Sequence, residues 1–326
     1  MKKRQQNYRT KRDLRKNGLN IKISKYKDKT SEIKVEKCNF TNKKNTRDKS
    51  RNRTFRNILF NLKSGEWLER KTTEDEETKR LSRHSLEVVK IEKTFKKNKI
   101  LKACSFKIKK GSFHALVGEN GAGKTTLIKT IIGGFPIEKG KILFNGLDVE
   151  KNIQEKNILS YVPEKAIFPN NMNLYAYLKL IWKLKGKELD NMDKQIKHLL
   201  NQFDLMDRKN INPNRLSSGQ KKKIFLIKIL IEKPEIIILD EPAANLDPTA
   251  RFLFFEELKK INAQGVTVLI TSHIISEISK YVNGATFIRK GEIVFTGDIE
   301  KDKLEEKFQE IVINDQMNNR MVVDYE

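Results

Sequence analysis

The 326-residue chain carries 67 Lys and Arg against 42 Asp and Glu, a formal net charge of +25, and 37% of its residues are apolar. Its length suits one large domain or two ordinary ones, and two cysteines, Cys38 and Cys104, exclude a disulfide framework or a cysteine metal knuckle and fit a reducing cytosol. No apolar run approaches the ~20 residues of a membrane helix, and the basic start lacks the apolar stretch of a secretory signal.

The charge is unevenly spread. Residues 1–85 hold 27 Lys and Arg against 11 Asp and Glu, a net of +16, so they read as a basic, largely disordered extension. Two readings of it stay open: an arm that holds the phosphates of nucleic acid or anionic lipid, or a solvated tail whose Lys and Asn reflect biased coding. Within it Phe55, Ile58, Leu59 and Leu62 fall at helical spacing beside Arg53, Arg56 and Lys63, a pattern for a short amphipathic helix at a membrane surface or docked on the body. The folded body is expected over 86–300, with a short tail over 301–326.

The body opens with alternating apolar runs at 86–91 and 103–108, expected as antiparallel strands, then a buried strand at 112–117. "GENGAGKTT" follows, and a helix stopped by Gly133 and Gly134. From Met172 to Phe203 the period becomes helical, with Asn173 as N-cap and Leu174, Tyr177, Leu178, Ile181 and Leu184 on one face; a second helix covers 192–203. These helices read as an inserted subdomain, about 166–231. Strands resume at "EIIILDEP", followed by a helix after Pro248, a strand at 266–272, another helix, and the runs "ATFIRK" and "EIVFTG". Strands alternating with helices predict a mainly parallel sheet covered on both faces.

Gly118, Gly123, Lys124 and Thr125 fill the fixed positions of the phosphate-loop pattern G-x-x-x-x-G-K-S/T, with Glu119, Asn120, Gly121 and Ala122 between and Thr126 after. Glycines let the backbone wrap close to phosphate, and the N-terminus of the following helix favours its charge. Lys124 is expected to reach the β and γ oxygens of ATP, and the Thr125 hydroxyl to ligate Mg²⁺. After four apolar residues, Asp240 emerges at the carboxyl end of a buried strand, where it suits holding the metal through water; Glu241, turned elsewhere, suits the general base for an attacking water.

"LSSGQ", Leu216 to Gln220, placed upstream of "IIILDEP", closely resembles the signature of the ATP-binding cassette (ABC) nucleotide-binding domain. The resemblance covers about 86–298. It implies a P-loop NTPase (RecA-like) α/β core with an antiparallel β subdomain and an inserted α-helical subdomain. It also implies that Ser217, Gly219 and Gln220 bind nucleotide held by another copy, that Phe95 stacks on adenine, that Glu164 in "SYVPE" is the Q-loop residue, a metal ligand and a catalytic residue beside Glu241, and that His273 is the catalytic switch that senses the γ-phosphate. "AANLDP", 243–248, resembles the D-loop, with Asp247 facing the opposite subunit. Three positions depart from the family pattern: Glu164 stands for glutamine, as in several exporter-like branches, Ser218 for the first signature glycine, and Ala243 for threonine. Lys221, Lys222 and Lys223 make the signature helix's first turn cationic, against its dipole. His84, His114 and His198 read as structural.

The function this implies is hydrolysis of ATP by two cassettes, this chain with itself or a paralogue, driving separate transmembrane permease subunits, as an exporter at the inner face of the cell membrane. The alternative is a non-transport ABC ATPase acting on ribosomes or nucleic acid through residues 1–85.

Overall fold

In the computed structural model, residue 78 and residues 81–244 and 246–313 are described. The amphipathic segment 55–62, Cys38, nearly all of the basic extension and the last residues of the expected tail lie outside the described residues.

Strands β1 (His84–Phe95) and β2 (Asn98–Lys109) form a long antiparallel hairpin. Both run beyond the apolar runs that announce them, and each bends where a residue takes positive φ, Lys90 at 49° and Ala103 at 54°. A second hairpin, not expected from the sequence, joins β4 (Lys139–Phe144) to β5 (Leu147–Asp148) and completes a sheet of order β2-β1-β4-β5. Its signal is the Asn145-Gly146 pair, whose φ values of 49° and 85° are those of the tight turn that suits the strands' twist.

The larger sheet has the order β10-β9-β3-β8-β7-β6. Strands β3 (Phe113–Val117), β6 (Leu159–Val162), β7 (Ile236–Leu239), β8 (Thr267–Thr271) and β9 (Gly284–Arg289) are parallel, and β10 (Glu292–Asp298) closes one edge antiparallel to β9. The inner strands are apolar along their length because both of their faces are covered. On β7, Ile236 and Ile238 enter a core shared with β1, β2, β4 and helix α1 (Lys124–Ile131), while Ile237 and Leu239 enter the core on the other face.

That second core is closed by α2 (Leu174–Leu184), α3 (Met192–Gln202), α4 (Ser218–Glu232), α5 (Pro248–Asn262) and α6 (Ile275–Ser279). Asn173 caps α2 by accepting from the Ala176 amide at 2.8 Å, as expected. One expected core residue is displaced: Leu184 is 72% exposed, and Trp182 turns inward instead, its indole N–H donating to the Glu188 carbonyl at 2.9 Å. The start of the expected tail is also structural. Helix α7 (Leu304–Phe308) buries Leu304 completely and sets Phe308 edge-on against Phe287.

Phe287 is fully buried and also packs against Phe295, so it joins β9, β10 and α7. Phe287→Ala is expected to destabilise the domain by about 3–5 kcal/mol in urea denaturation. A change under about 1 kcal/mol would show that the site collapses around the cavity.

Candidate functional site

The loop between β3 and α1 has little freedom. A side chain at Gly118 would lie 2.2 Å from the Ile288 carbonyl, and Gly121 and Gly123 take φ of 79° and 109°, which favour glycine. Gly123 leads directly into α1, whose N-terminus has no side-chain cap and no acid in its first turn. Its amides are therefore directed into the loop, as anion binding requires. Ala122 is buried and its carbonyl accepts from the Gly291 amide at 3.0 Å, which ties the loop to the β9–β10 turn.

Lys124 is 7% exposed and donates to the carbonyls of Gly118, 2.7 Å, and Glu119, 3.1 Å. Burial lowers its pKa, opposed by the carboxylates of Glu241 and Asp240. Glu119, Asn120 and Gly121 form the exposed outer arc of the loop, and the Thr126 carbonyl accepts from Thr130 Oγ1 at 2.9 Å within α1.

Asp240 and Glu241 leave the end of β7 in different directions. Asp240 is 3% exposed; its Oδ1 accepts from Thr271 Oγ1 at 2.9 Å and lies 3.5 Å from Thr125 Oγ1. Burial raises the Asp240 pKa, hydrogen bonds from Thr271 and Thr125 pull it down, and the charges of Glu241 and Glu164 push it up again. The Thr271 oxygen accepts in turn from the Glu241 amide at 2.9 Å. Glu241 has φ 46°, a left-handed conformation that costs a non-glycine residue roughly 1–2 kcal/mol. This swings its carboxylate away from Asp240 to His273, whose amide donates to Oε2 at 3.2 Å and whose Nδ1 is 2.6 Å away. Both contacts are of hydrogen-bond length and tie the carboxylate to the His273 segment.

These donors fit a hard divalent cation. Thr125 and Asp240 offer neighbouring oxygens, and burial holds the Asp240 pKa up, so an added cation would favour its ionised form. Among the described residues no three His, Cys, Asp or Glu side chains converge as a complete cage, so phosphate and water oxygens would supply the remaining ligands.

Phe95 ends β1, is 40% exposed, and meets Phe135 edge-to-face at 5.2 Å with Lys93 5.6 Å from its ring. Phe135 has no mark in the sequence beyond following the helix-stopping Gly133 and Gly134. Glu164 is exposed just beyond β6, and its charge is felt at Asp240.

In the signature segment, Ser217 caps α4: Ser217 Oγ accepts from the Gln220 amide at 3.2 Å, and Gln220 Oε1 accepts from the Ser217 amide at 3.1 Å. Oγ is the acceptor, so the Ser217 proton stays available as a donor. A side chain at Gly219 would meet only Ala250, at 3.8 Å. The cationic first turn is less opposed to the dipole than its sequence implies. Lys222 is buried and turned to the Glu164 carbonyl, and Lys223 pairs with Asp204 at 3.4 Å. Asp247 caps α5 by accepting from the Ala250 amide at 2.9 Å. His114 is buried against Thr286 at 2.9 Å, with its pKa lowered to about 4 by burial.

Two residues the motif reading overlooks stand out, Thr271 and Phe135. The only hint of Thr271 is its place two residues before His273, at the end of a buried strand.

The ABC transporter family pattern matches residues 101–244. A putative ABC transporter ATP-binding protein of Mycoplasma pneumoniae is 40% identical over 216 residues, 65% of this chain and 66% of that protein. The linearmycin resistance ATP-binding protein LnrL of Bacillus subtilis is 31% identical, over 65% of this chain and 68% of its own length. The chain belongs to the ATP-binding proteins of ABC transporters. Members of this family are ATPases, and this ABC protein has their P-loop α/β fold. The methionine import ATP-binding protein MetN of Clostridium acetobutylicum is likewise 31% identical, over 66% of this chain and 69% of its own length. The chain thus spans about two thirds of the length of these curated relatives. A solved ATP-binding subunit of an ABC transporter superposes with a TM-score of 0.63 at 26% identity, covering 72% of this chain and 98% of that one.

The raised pKa of Asp240 has a consequence for stability. A carboxyl whose folded pKa lies above its unfolded value costs stability once ionised, and the cost fades as pH falls through the folded pKa. Asp240→Asn in EDTA is therefore expected to melt higher than the parent at pH 7, with the difference shrinking as pH is lowered toward 4. A variant that melts lower at pH 7 would contradict the assigned cost of the buried charge.

Proposed function

We propose that this chain is the ATP-binding and hydrolysing subunit of an ABC transporter, dimerising around two ATP molecules and driving a separate membrane permease. The observation that carries the reading is the divergence of Asp240 and Glu241 above a phosphate loop. One acid turns to the Thr125 hydroxyl and the other to His273.

Lys124, the loop amides and the N-terminus of α1 bind the β and γ phosphates. Thr125, Asp240 and Glu164 would hold Mg²⁺, which would supply charge neutralisation at those oxygens. Glu241 takes the proton of the attacking water, with Glu164 and His273 around the reacting group. Phe95 offers its exposed ring to adenine. Ser217, Gly219 and Gln220 of one copy face the nucleotide of the other. Ser217 keeps a donor free, and Gly219 has nothing but Ala250 near its α-carbon.

The permease is a separate chain in this reading; no helix among the described residues is long and apolar enough to cross a membrane. The protein then sits in the cytoplasm on the inner face of the cell membrane. Export is supported by Glu164 in the Q-loop and by the relative named for linearmycin resistance. The relative named for methionine import, equally identical at 31%, favours the opposite direction. The net charge of +16 on residues 1–85 favours a second reading, action on ribosomes or nucleic acid. A permease retained with the membrane-bound protein supports the first; salt-sensitive RNA association supports the second.

Glu241→Gln is expected to lower turnover by about 10²- to 10⁴-fold, with ATP affinity kept within a few-fold and an ATP-dependent dimer seen by size-exclusion chromatography. Undiminished turnover would remove Glu241 as the base.

A further inference from the structure

Lys222 is the second of three consecutive lysines on α4 and is 4% exposed. A buried ammonium is costly unless it is matched. Among the described residues no carboxylate comes within ion-pairing distance of its Nζ. What it reaches is the Glu164 backbone carbonyl, at 3.4 Å, and the Phe225 ring, 6.0 Å from Nζ. Burial lowers its pKa to about 8, and the Glu164 charge is what opposes this. Glu164 also raises the Asp240 pKa. Lys222 and Asp240 therefore lie in the field of the same exposed acid.

A second lysine on the same helix makes a parallel attachment. Lys228 donates to the Tyr161 carbonyl at 3.3 Å, to Ser160 Oγ at 3.0 Å and to Glu232 Oε2 at 2.9 Å, and Ser160 donates to the same Glu232 oxygen at 2.5 Å. Lys228 is balanced by its own carboxylate, so it serves as a structural anchor between α4 and β6. Lys222 has no such partner. Its ammonium is directed to the segment that carries Glu164, whose carbonyl is its polar contact among the described residues.

We propose that Lys222 is a positioning residue for Glu164, its ammonium, set on the Glu164 carbonyl, holding the acidic side chain in place and offsetting the extra negative charge that an acid, rather than an amide, brings into the field of Asp240. This rests on the reading of Glu164 as a site residue. The signature helix and the metal side of the phosphate site are then joined through one side chain. A purely structural lysine would act alike whatever stood at position 164.

The test is a double-mutant cycle on the full chain with Lys222→Met, Glu164→Gln and both together, read as ATPase kcat and KM. It is read in parallel as Mn²⁺ affinity in the presence of a non-hydrolysable ATP analogue. Lys222→Met is expected to lower kcat by about tenfold with KM within about twofold, and its cost in the Glu164→Gln background is expected to fall below about twofold. The Mn²⁺ affinities should show the same non-additivity. Lys222→Arg should restore most of the loss. Lys222→Met should melt no lower than the parent, because a buried charge is replaced by an apolar chain of similar size. An equal cost in both backgrounds, or no cost in either, overturns the positioning role. If Glu164→Gln changes neither turnover nor Mn²⁺ affinity, the reading of Glu164 falls instead. A Lys222→Met protein that melts well below the parent and is not rescued by Lys222→Arg makes Lys222 a packing residue and also overturns the proposal.

Discussion

The chemistry of the site depends on one hydroxyl. Thr271 ends β8 fully buried, gives its proton to Asp240 and takes the amide proton of Glu241. Two adjacent carboxylates on one strand end would otherwise compete for the same space and charge. By bonding the side chain of the first and the backbone of the second, Thr271 lets Asp240 lie beside Thr125 while Glu241 takes its left-handed φ and turns to His273. Strain of this kind persists only where the surroundings over-determine it, and here the amide bond and two contacts from His273 do so.

The two cores fix the strand ends that make this geometry possible. Alternation on β7 is strict: one pair of isoleucine and leucine side chains packs under the helices, and one pair of isoleucines packs under the antiparallel sheet and α1. A slip of one residue would exchange the two sets and carry Asp240 away from Thr125. Parallel register of β7 with β8, Leu239 opposite Ile270, then brings Thr271 level with Asp240 without any loop adjustment.

Much of this was legible in the sequence because its signals are local. The glycines and Lys-Thr of the loop, the apolar run ending in Asp240 and Glu241, Asn173 before α2, and the segment from Leu216 to Gln220 each combine residue type with spacing. What escaped depends on position in space. The β4–β5 hairpin had a local mark in Asn145-Gly146, but its strands are too short and too charged at their start to announce themselves. Leu184 is exposed while Trp182 is buried because the inward face of α2 follows Leu174, Leu178 and Trp182 at four-residue spacing. Lys222 reads as a solvated charge among three lysines, and only the fold shows that one of them is buried. Thr271 carries little pattern beyond its place at the end of a buried strand, since its role comes from Asp240 and Glu241, thirty-one and thirty positions away at the end of another strand.

The most direct test of this account is turnover of Thr271→Val beside Thr271→Ser. The valine keeps shape and β-branching but loses the hydroxyl, so both acids lose their shared partner. Turnover is expected to fall by about 10- to 100-fold in the valine variant, with the melting temperature shifted by only a few degrees, and to return toward the parent value in the serine variant. A valine variant that hydrolyses ATP at the parent rate would contradict the claim that this hydroxyl sets the two acids in place.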